Sequence, residues 1–478
     1  MSGPGPQRLD RREPDDRYDE ICNRGNLTRR QLLIWAGDRR AAGAPVFTEA
    51  ALFHIRGRVD PASFQRAFQA VLDEADALRM IVEDVDGWPR QRVLPGVTST
   101  TELMDLASVS APAGALEALA RERVATTVNG NGPLIDSVLV RIRPEHHVWV
   151  LAQHQLISDA WSFRLIHQRM VEHYERDRRG LCGAGVVRPQ FHEYLAHERR
   201  YRASPQYRAA RAYWQSRCPS PAVRTTTLDA GVARDATKVG RVSRRLGHTT
   251  TAALRRLAAA QSAAVDVGLF SIFASLVIAH LYRTSGTDDV LLSVPFANRP
   301  SQRFKHTVGS FMNVCPVRVV VERGDTFLTL LRQVEREVWE AARHQGYAMR
   351  PVAGSQPYDV LVNVHKEAVR AHTFGDMPME VAWLPPTHRF GALAVAVQDF
   401  SASDNLTLDL DFNEATFGRA SRADISRRML RLLDDYLADP ERGLGDGCVV
   451  PVVPVGPARQ AASTGPADER GTSVPPRM

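Results

Sequence analysis

The spacing of apolar and polar residues changes several times along the chain, and each change marks a helix or a strand. Thr28 stands before Leu32, Leu33 and Trp35, where its hydroxyl can cap a helix. Alternation over residues 51–57 predicts a strand. Pro61 then opens a helix whose apolar positions Phe64, Phe68, Val71, Leu72 and Leu78 recur mostly at three and four. Strands are expected at 137–142 and 147–154, the second being the most sharply apolar, and the polar turn Ser158-Asp159 leads into a helix over 161–174. Beyond an Arg/Gly-rich stretch at 176–187, helices are expected at 191–202, 206–217, 252–260, 267–282, 326–342 and 421–437. Strands are expected near 242 and at 290–294, 313–320, 358–364, 393–399 and 406–412. Strands mixed with long helices in both halves predict two α/β lobes.

The 478 residues are roughly three times the ~150 of one domain, so two core-bearing units are expected, at 21–180 and 186–450. The ends, 1–20 and 454–478, are rich in Pro, Gly and small polar residues and are expected to be disordered tails. Apolar residues at 44% and charged residues at 24% suit a globular protein and exclude a disordered one. The net charge of +7 is almost all arginine, since Lys238, Lys305 and Lys366 are the only lysines, and it is dispersed rather than gathered on one element. Nucleic acid is therefore not the expected partner. Neither a signal peptide nor an apolar run that would span a bilayer is evident, so the expected location is the cytoplasm, with no membrane contact. Cys22, Cys182, Cys218, Cys315 and Cys448 are too scattered for a disulfide framework or a metal knuckle and read as buried thiols; no metal site is expected.

GxGxxG, GxxxxGK[ST] and GxSxG are all missing, which counts against the common nucleotide folds and serine hydrolases. The most informative segment is His154-Gln155-Leu156-Ile157-Ser158-Asp159-Ala160-Trp161, where an apolar strand delivers polar side chains to its carboxyl end just before a helix. His146 and His147 lie at the other end of that strand, over ~20 Å away, and cannot join His154 in a metal site.

That segment resembles the HHxxxDG signature of the condensation domains of nonribosomal peptide synthetases, in the chloramphenicol acetyltransferase-like superfamily. Other landmarks follow in order. Leu27-Thr28-Arg29-Arg30-Gln31 resembles the opening motif and Ala77-Leu78-Arg79 the end of "HEALR". Val294-Pro295-Phe296-Ala297-Asn298-Arg299 resembles "PVANR", Val308-Gly309-Ser310-Phe311-Met312-Asn313 resembles "VGxFxN", and the stretch from Asp411 to Phe417 resembles "YNTDLF". The resemblance implies two chloramphenicol acetyltransferase-like lobes forming a V around a central tunnel. In such a tunnel a carrier protein presents an acyl thioester on its phosphopantetheine arm, and an amine arriving from the other face attacks it. No cofactor of the protein's own is implied.

Residue by residue, the match puts His154 at the first histidine of the signature and Gln155 at the second, the one at the tunnel centre. An amide does not titrate near neutral pH, so Gln155 cannot act as a base, although it can orient a nucleophile or donate to an oxyanion. Gln155 and His154 are the candidate catalytic residues. Asp159 is expected to be structural, paired with Arg79 or Arg299. Ala160 replaces the motif glycine, where a methyl group disfavours positive φ and can narrow the passage. Asp136 stands where arginine is usual. Trp161, Ser310, Asn313, Asn363 and His365 are expected to line the tunnel, with His365 a candidate replacement base.

The leading expectation is a freestanding acyltransferase that joins a carrier-bound acyl or aminoacyl thioester to an amine in natural-product biosynthesis. Because no adenylation or carrier segment follows the body, peptidyl or acyl carrier proteins would be supplied in trans, and the protein would act as a monomer. The alternatives are a non-catalytic module that recruits carriers or a tailoring enzyme, and a diverged tunnel enzyme performing dehydration or cyclisation.

Overall fold

A computed structural model describes residues 14–98, 101–128, 132–181, 187–218, 236–348, 359–366, 373–399 and 405–445. The first half of the chain runs α1 (Pro14–Gly25), α2 (Arg29–Ala41), β1 (Thr48–Ile55), α3 (Pro61–Glu74), β2 (Met80–Val85), β3 (Trp88–Val93), β4 (Glu102–Asp105), α4 (Pro112–Val128), β5 (Ile135–Arg143), β6 (His146–His154) and α5 (Ala160–Arg178). Local chemistry sets the helix starts. Thr28 and Gln31 form a reciprocal capping box on α2, and Asp60 accepts from the Ser63 amide at 2.9 Å ahead of Pro61 at the head of α3. Helix α1 reaches back into the expected N-terminal tail, so the ordered body begins before residue 21.

The second half runs α6 (Phe191–Arg202), α7 (Pro205–Arg217), β7 (Val239–Arg245), α8 (Gly247–Gln261), α9 (Val265–Ser285), β8 (Asp289–Phe296), α10 (Gln302–Lys305), β9 (Asn313–Val320), α11 (Phe327–Arg343), β10 (Val360–Lys366), β11 (Thr373–Phe374), β12 (Met377–Trp383), β13 (Leu393–Asp399), β14 (Thr407–Asn413) and α12 (Arg419–Ala438). The expected C-terminal tail, Cys182 and Cys448 lie outside the described residues. Cys22 and Cys315 are buried free thiols, and Cys218 is half-buried.

Two six-stranded sheets organise the chain, in the orders β11-β12-β1-β6-β5-β4 and β7-β14-β13-β10-β8-β9. Strand β6 is central in the first, antiparallel to both β1 and β5. Its Trp149 and Leu151 enter the core under α3 and α5, whereas Val148 and Val150 enter the core under α4. Burial on both faces explains why the strand reads as an unbroken apolar run. In the second sheet β10 lies parallel to β8 and β13, and α9 is buried along most of its length. By length and composition α9 is apolar enough to cross a membrane, but most of it is buried inside the protein, where it forms the core of the second lobe.

The expected division at 180/186 is not a division between the sheets. Strands β11 and β12, from the second half, extend the first sheet, with Ala51 opposite Trp383 and Ile55 opposite Met379. Phe191 and Tyr194 of α6 and Phe304, Val308 and Phe311 belong to the first lobe's core as well. Gly309 sits within this shared packing, where an added Cβ would collide with the buried ring of Phe191. Replacing Gly309 by Ala is therefore expected to cost ~1–3 kcal/mol through overpacking. The check is urea denaturation, in which a midpoint equal to the wild type's would contradict the packing assignment.

Candidate active site

The first lobe's central strand ends at His154, and the turn that follows is fixed by its own backbone: the Gln155 amide donates to the Phe47 carbonyl at 2.8 Å and the Ile157 amide to the His154 carbonyl at 3.1 Å. Asp159 closes the turn as the N-cap of α5. Its Oδ1 accepts from the Ser162 amide and hydroxyl, both at 2.9 Å, and from Arg299 at 2.8 Å. Its Oδ2 accepts from the amides of Phe311 and Met312, both at 3.1 Å. Arg299 also donates to the carbonyls of Phe304 (2.7 Å) and Thr307 (2.6 Å), and its guanidinium lies 4.1 Å from the centre of the Phe311 ring. Burial lowers the Arg299 pKa and the Asp159 carboxylate opposes that shift. Both carboxylate oxygens are occupied by donors from α5 and from residues 299–312.

Of the two expected partners for Asp159, the structure selects Arg299. Arg79 instead donates to the carbonyls of Leu72, Leu94 and Pro95, at 3.2, 2.8 and 3.1 Å, and clamps the chain around the β2–β3 hairpin. The His154 ring is engaged at both nitrogens. Its Nδ1 accepts from the Leu156 amide at 3.2 Å, which leaves the proton on Nε2, 3.2 Å from Asp38 Oδ2. The buried ring ties the turn to α2 and is not in the pocket wall.

Gln155 faces a pocket between the two sheets with about 900 Å³ of space free of protein atoms, its mouth included. The Gln155 amide is held at both ends: Nε2 donates to Glu49 Oε1 at 2.9 Å, and Arg30 reaches Oε1 at 3.5 Å. Glu49 comes from the start of β1, and burial raises its carboxyl above the usual range. Arg389, the Gln155 hydrogen bond and Arg30 pull it back down, while Asp159 pushes it further up. Burial also lowers the Arg30 pKa, to about 10. From the second lobe, Arg241 reaches the wall while donating to both oxygens of Asp411, at 2.6 and 2.8 Å, and to Asp409 at 3.0 Å.

His365 lines the same wall, with a pKa lowered to about 4 by burial first and then by Arg389 and Arg241, against the opposing Asp411. The Asn363 amide lies 3.0 Å from its Nε2, so Asn363 meets the site only through His365. Ala160 also belongs to the wall and is the first residue of α5. Its φ is not positive, so the methyl strains no backbone.

Three expected lining residues are placed elsewhere. Trp161 donates to the Lys305 carbonyl at 2.9 Å and lies over Arg164. Asn313 donates to the carbonyls of Gln345 and Tyr347, at 2.8 and 3.0 Å, and Ser310 is buried and does not line the pocket. Asp136 lies on β5 with Arg123 at 3.7 Å. Sequence reasoning missed Glu49, Arg30, Arg241 and Arg389. Of these Arg30 alone lay in a quoted motif.

Two α/β lobes meeting at a pocket form the two-lobed chloramphenicol acetyltransferase-like fold. The family model "Condensation domain" matches residues 26–451, and the chain belongs to that family. Among curated relatives it is 27% identical to an isonitrile lipopeptide synthase of Streptomyces coeruleorubidus over 91% of this chain and 30% of the relative. It is 23% identical to surfactin synthase subunit 1 of Bacillus subtilis (strain 168) over 82% of this chain and 11% of the relative. The chain thus spans less than a third of these relatives. Among solved structures, a mutant starter condensation domain of rhizomide synthetase RzmA in complex with C8-CoA superposes with a TM-score of 0.77 at 23% identity, covering 89% of this chain and 97% of that one. The first condensation domain of the calcium-dependent antibiotic synthetase, in complex with a substrate analogue, gives 0.74 at 22% identity, covering 89% and 98%. These likenesses show the two-lobe fold.

Replacing Asp159 by Ala strands Arg299 in a dry site, where breaking one partner of a buried pair costs ~3–5 kcal/mol. Replacing Gln155 by Ala removes one hydrogen bond from the buried Glu49 and is expected to cost less, about 1–2 kcal/mol. Differential scanning calorimetry of the two variants checks this, and coincident melting curves would contradict the structural role of Asp159.

Proposed function

We propose that the chain catalyses amide formation between an acyl or aminoacyl thioester on a carrier protein's phosphopantetheine arm and an amine. The observation that carries this reading is that the residue at the second signature histidine, Gln155, faces a pocket shared by both lobes in a chain matched to the condensation family almost throughout. In the reaction the amine nitrogen attacks the thioester carbonyl, the C–N bond forms, the C–S bond breaks and the pantetheine thiol leaves. With one Nε2 hydrogen on Glu49, the other hydrogen of the Gln155 amide is offered to the carbonyl oxygen as it becomes an oxyanion. Orientation contributes as well, because two reactants held in one pocket avoid the entropy of encounter. The donor and acceptor carriers are partners of the chain, one at each face. The C8-CoA bound to the starter condensation domain supports an acyl-pantetheine donor here.

A second reading has its own support. The Gln155 position carries no titratable group, and its amide is clamped between Glu49 and Arg30, which suits a module that binds loaded carriers without turning them over.

Intact-protein mass spectrometry of acyl-loaded carrier plus an aminoacyl-loaded carrier, with and without the chain, separates the two. Catalysis predicts acyl transfer that falls ~10–100-fold in Gln155→Ala, the loss of one aimed hydrogen bond worth about 1.5–3 kcal/mol. Carrier binding without transfer in either protein would establish the second reading.

A further inference from the structure

Glu49 is a carboxylate in the wall of a pocket that also holds Gln155; among the described residues it caps no helix, and its bond to Gln155 at 2.9 Å joins two pocket-facing groups. A glutamate in such a place has a thermodynamic cost that packing alone does not repay. Its neighbours are mixed in sign. Arg389 and Arg30 face it with positive charge and Asp159 with negative charge. Across the pocket stand Arg121 of α4 and Arg241 of β7, with His365 and His388, whose imidazoles burial holds below their usual pKa.

Three of the groups nearest the pocket are poorer proton acceptors. Gln155 does not titrate. Asp159 has both oxygens in hydrogen bonds with five donors. The His365 Nε2 faces the Asn363 amide at 3.0 Å, and with a pKa of about 4 the ring is a poor base.

Resting on the condensation reading, we propose that Glu49 receives the attacking amine and takes its proton, with Gln155 as the positioning residue that fixes the carboxylate. As the amine nitrogen bonds to the thioester carbon, its surplus proton passes to the Glu49 carboxylate. When the C–S bond breaks, the neutral carboxylic acid returns that proton to the pantetheine thiolate, so Glu49 ends each turnover ionised. Burial favours this cycle: a carboxylate less stable than in water is a stronger base, closer in strength to the groups it exchanges protons with. The sign of the pH dependence follows. The carboxylate must be ionised to act, so rate is lost as pH falls through a pKa lying above the usual ~4.3 of glutamate. Removing the Gln155 hydrogen bond, which favours the charged form, moves that limb to higher pH.

The test uses the whole chain and two readouts. The first is calorimetric affinity for an unreactive aminoacyl-pantetheine amide, which reports contact with the amine without turnover. The second is the pH profile of kcat and KM with loaded carriers. Glu49→Gln keeps the shape and the Gln155 contact while removing the charge. It is expected to bind the amide at least ~10-fold more weakly, to lose ~10²-fold or more in kcat, and to lose the acidic limb. Glu49→Asp is expected to retain the limb with an intermediate rate, and it carries the test should Glu49→Gln not fold. Gln155→Ala is expected to keep the limb and shift it upward. Wild-type affinity and rate in Glu49→Gln would overturn the proposal and leave condensation standing, as would weakened affinity with unchanged kcat. A wild type that forms no amide refutes the condensation reading and the proton transfer with it; in that case weaker amide binding by Glu49→Gln would reduce Glu49 to a recognition group.

Discussion

Everything else in this structure depends on the carboxylate of Asp159. It accepts five hydrogen bonds, three from Ser162 and Arg299 and two from the amides of Phe311 and Met312. The first lobe supplies Asp159 and Ser162, and the segment 299–312 of the second half supplies the rest. A charge taken out of water needs this degree of satisfaction to persist, and satisfying it requires the two segments to adopt one mutual position. Four residues upstream, Gln155 is thereby fixed in the pocket wall, and Ala160, the next residue, begins α5 there. The geometry of the pocket is thus set by a group that does not line it.

The pocket combines that rigidity with a redistribution of chemical roles. Where the family signature has a histidine, this chain has an amide bridging a carboxylate and a guanidinium. Donor, acceptor and charge remain within a few ångströms of one another, but on three side chains from three elements. His154 has meanwhile become a strut, its two ring nitrogens engaged by Leu156 and Asp38.

Much of this was legible in the sequence, and the remainder was hidden for definable reasons. The expected bounds of α6, β9 and β13 coincide with those observed, because largely apolar runs mark the two strands and the Gln190–Glu193 capping box marks the start of α6. Strand β3, with Pro89 and three charged or amide residues in six positions, carries no such signal, and α4 is Ala/Arg-rich with little contrast between its faces. Strand β12 does alternate, with Met377 and Met379 inward, but its pairing with β1 depends on contacts over 300 residues away in the chain. Asp159 was recognisable from its motif, whereas the choice between Arg79 and Arg299 was tertiary. Glu49 was the hardest to see: it precedes the stretch read as strand, and its bond to Gln155 spans 106 residues. A lone acid at a strand edge ordinarily faces water; only the assembled lobes give it another environment.

The crossing of β11 and β12 into the first sheet bears on how such a chain can be recombined. A modular exchange cut at the Arg/Gly-rich stretch near 180 would transfer a sheet lacking two of its six strands, and would leave the remaining half with a strand pair that has no sheet to join. Residues 384–392, which lead from β12 back to the second sheet, carry His388 and Arg389 into the pocket on the way. The same cut would therefore combine the pocket's two walls from unmatched parents. The unit that natural or laboratory shuffling can inherit intact is the full two-lobed body.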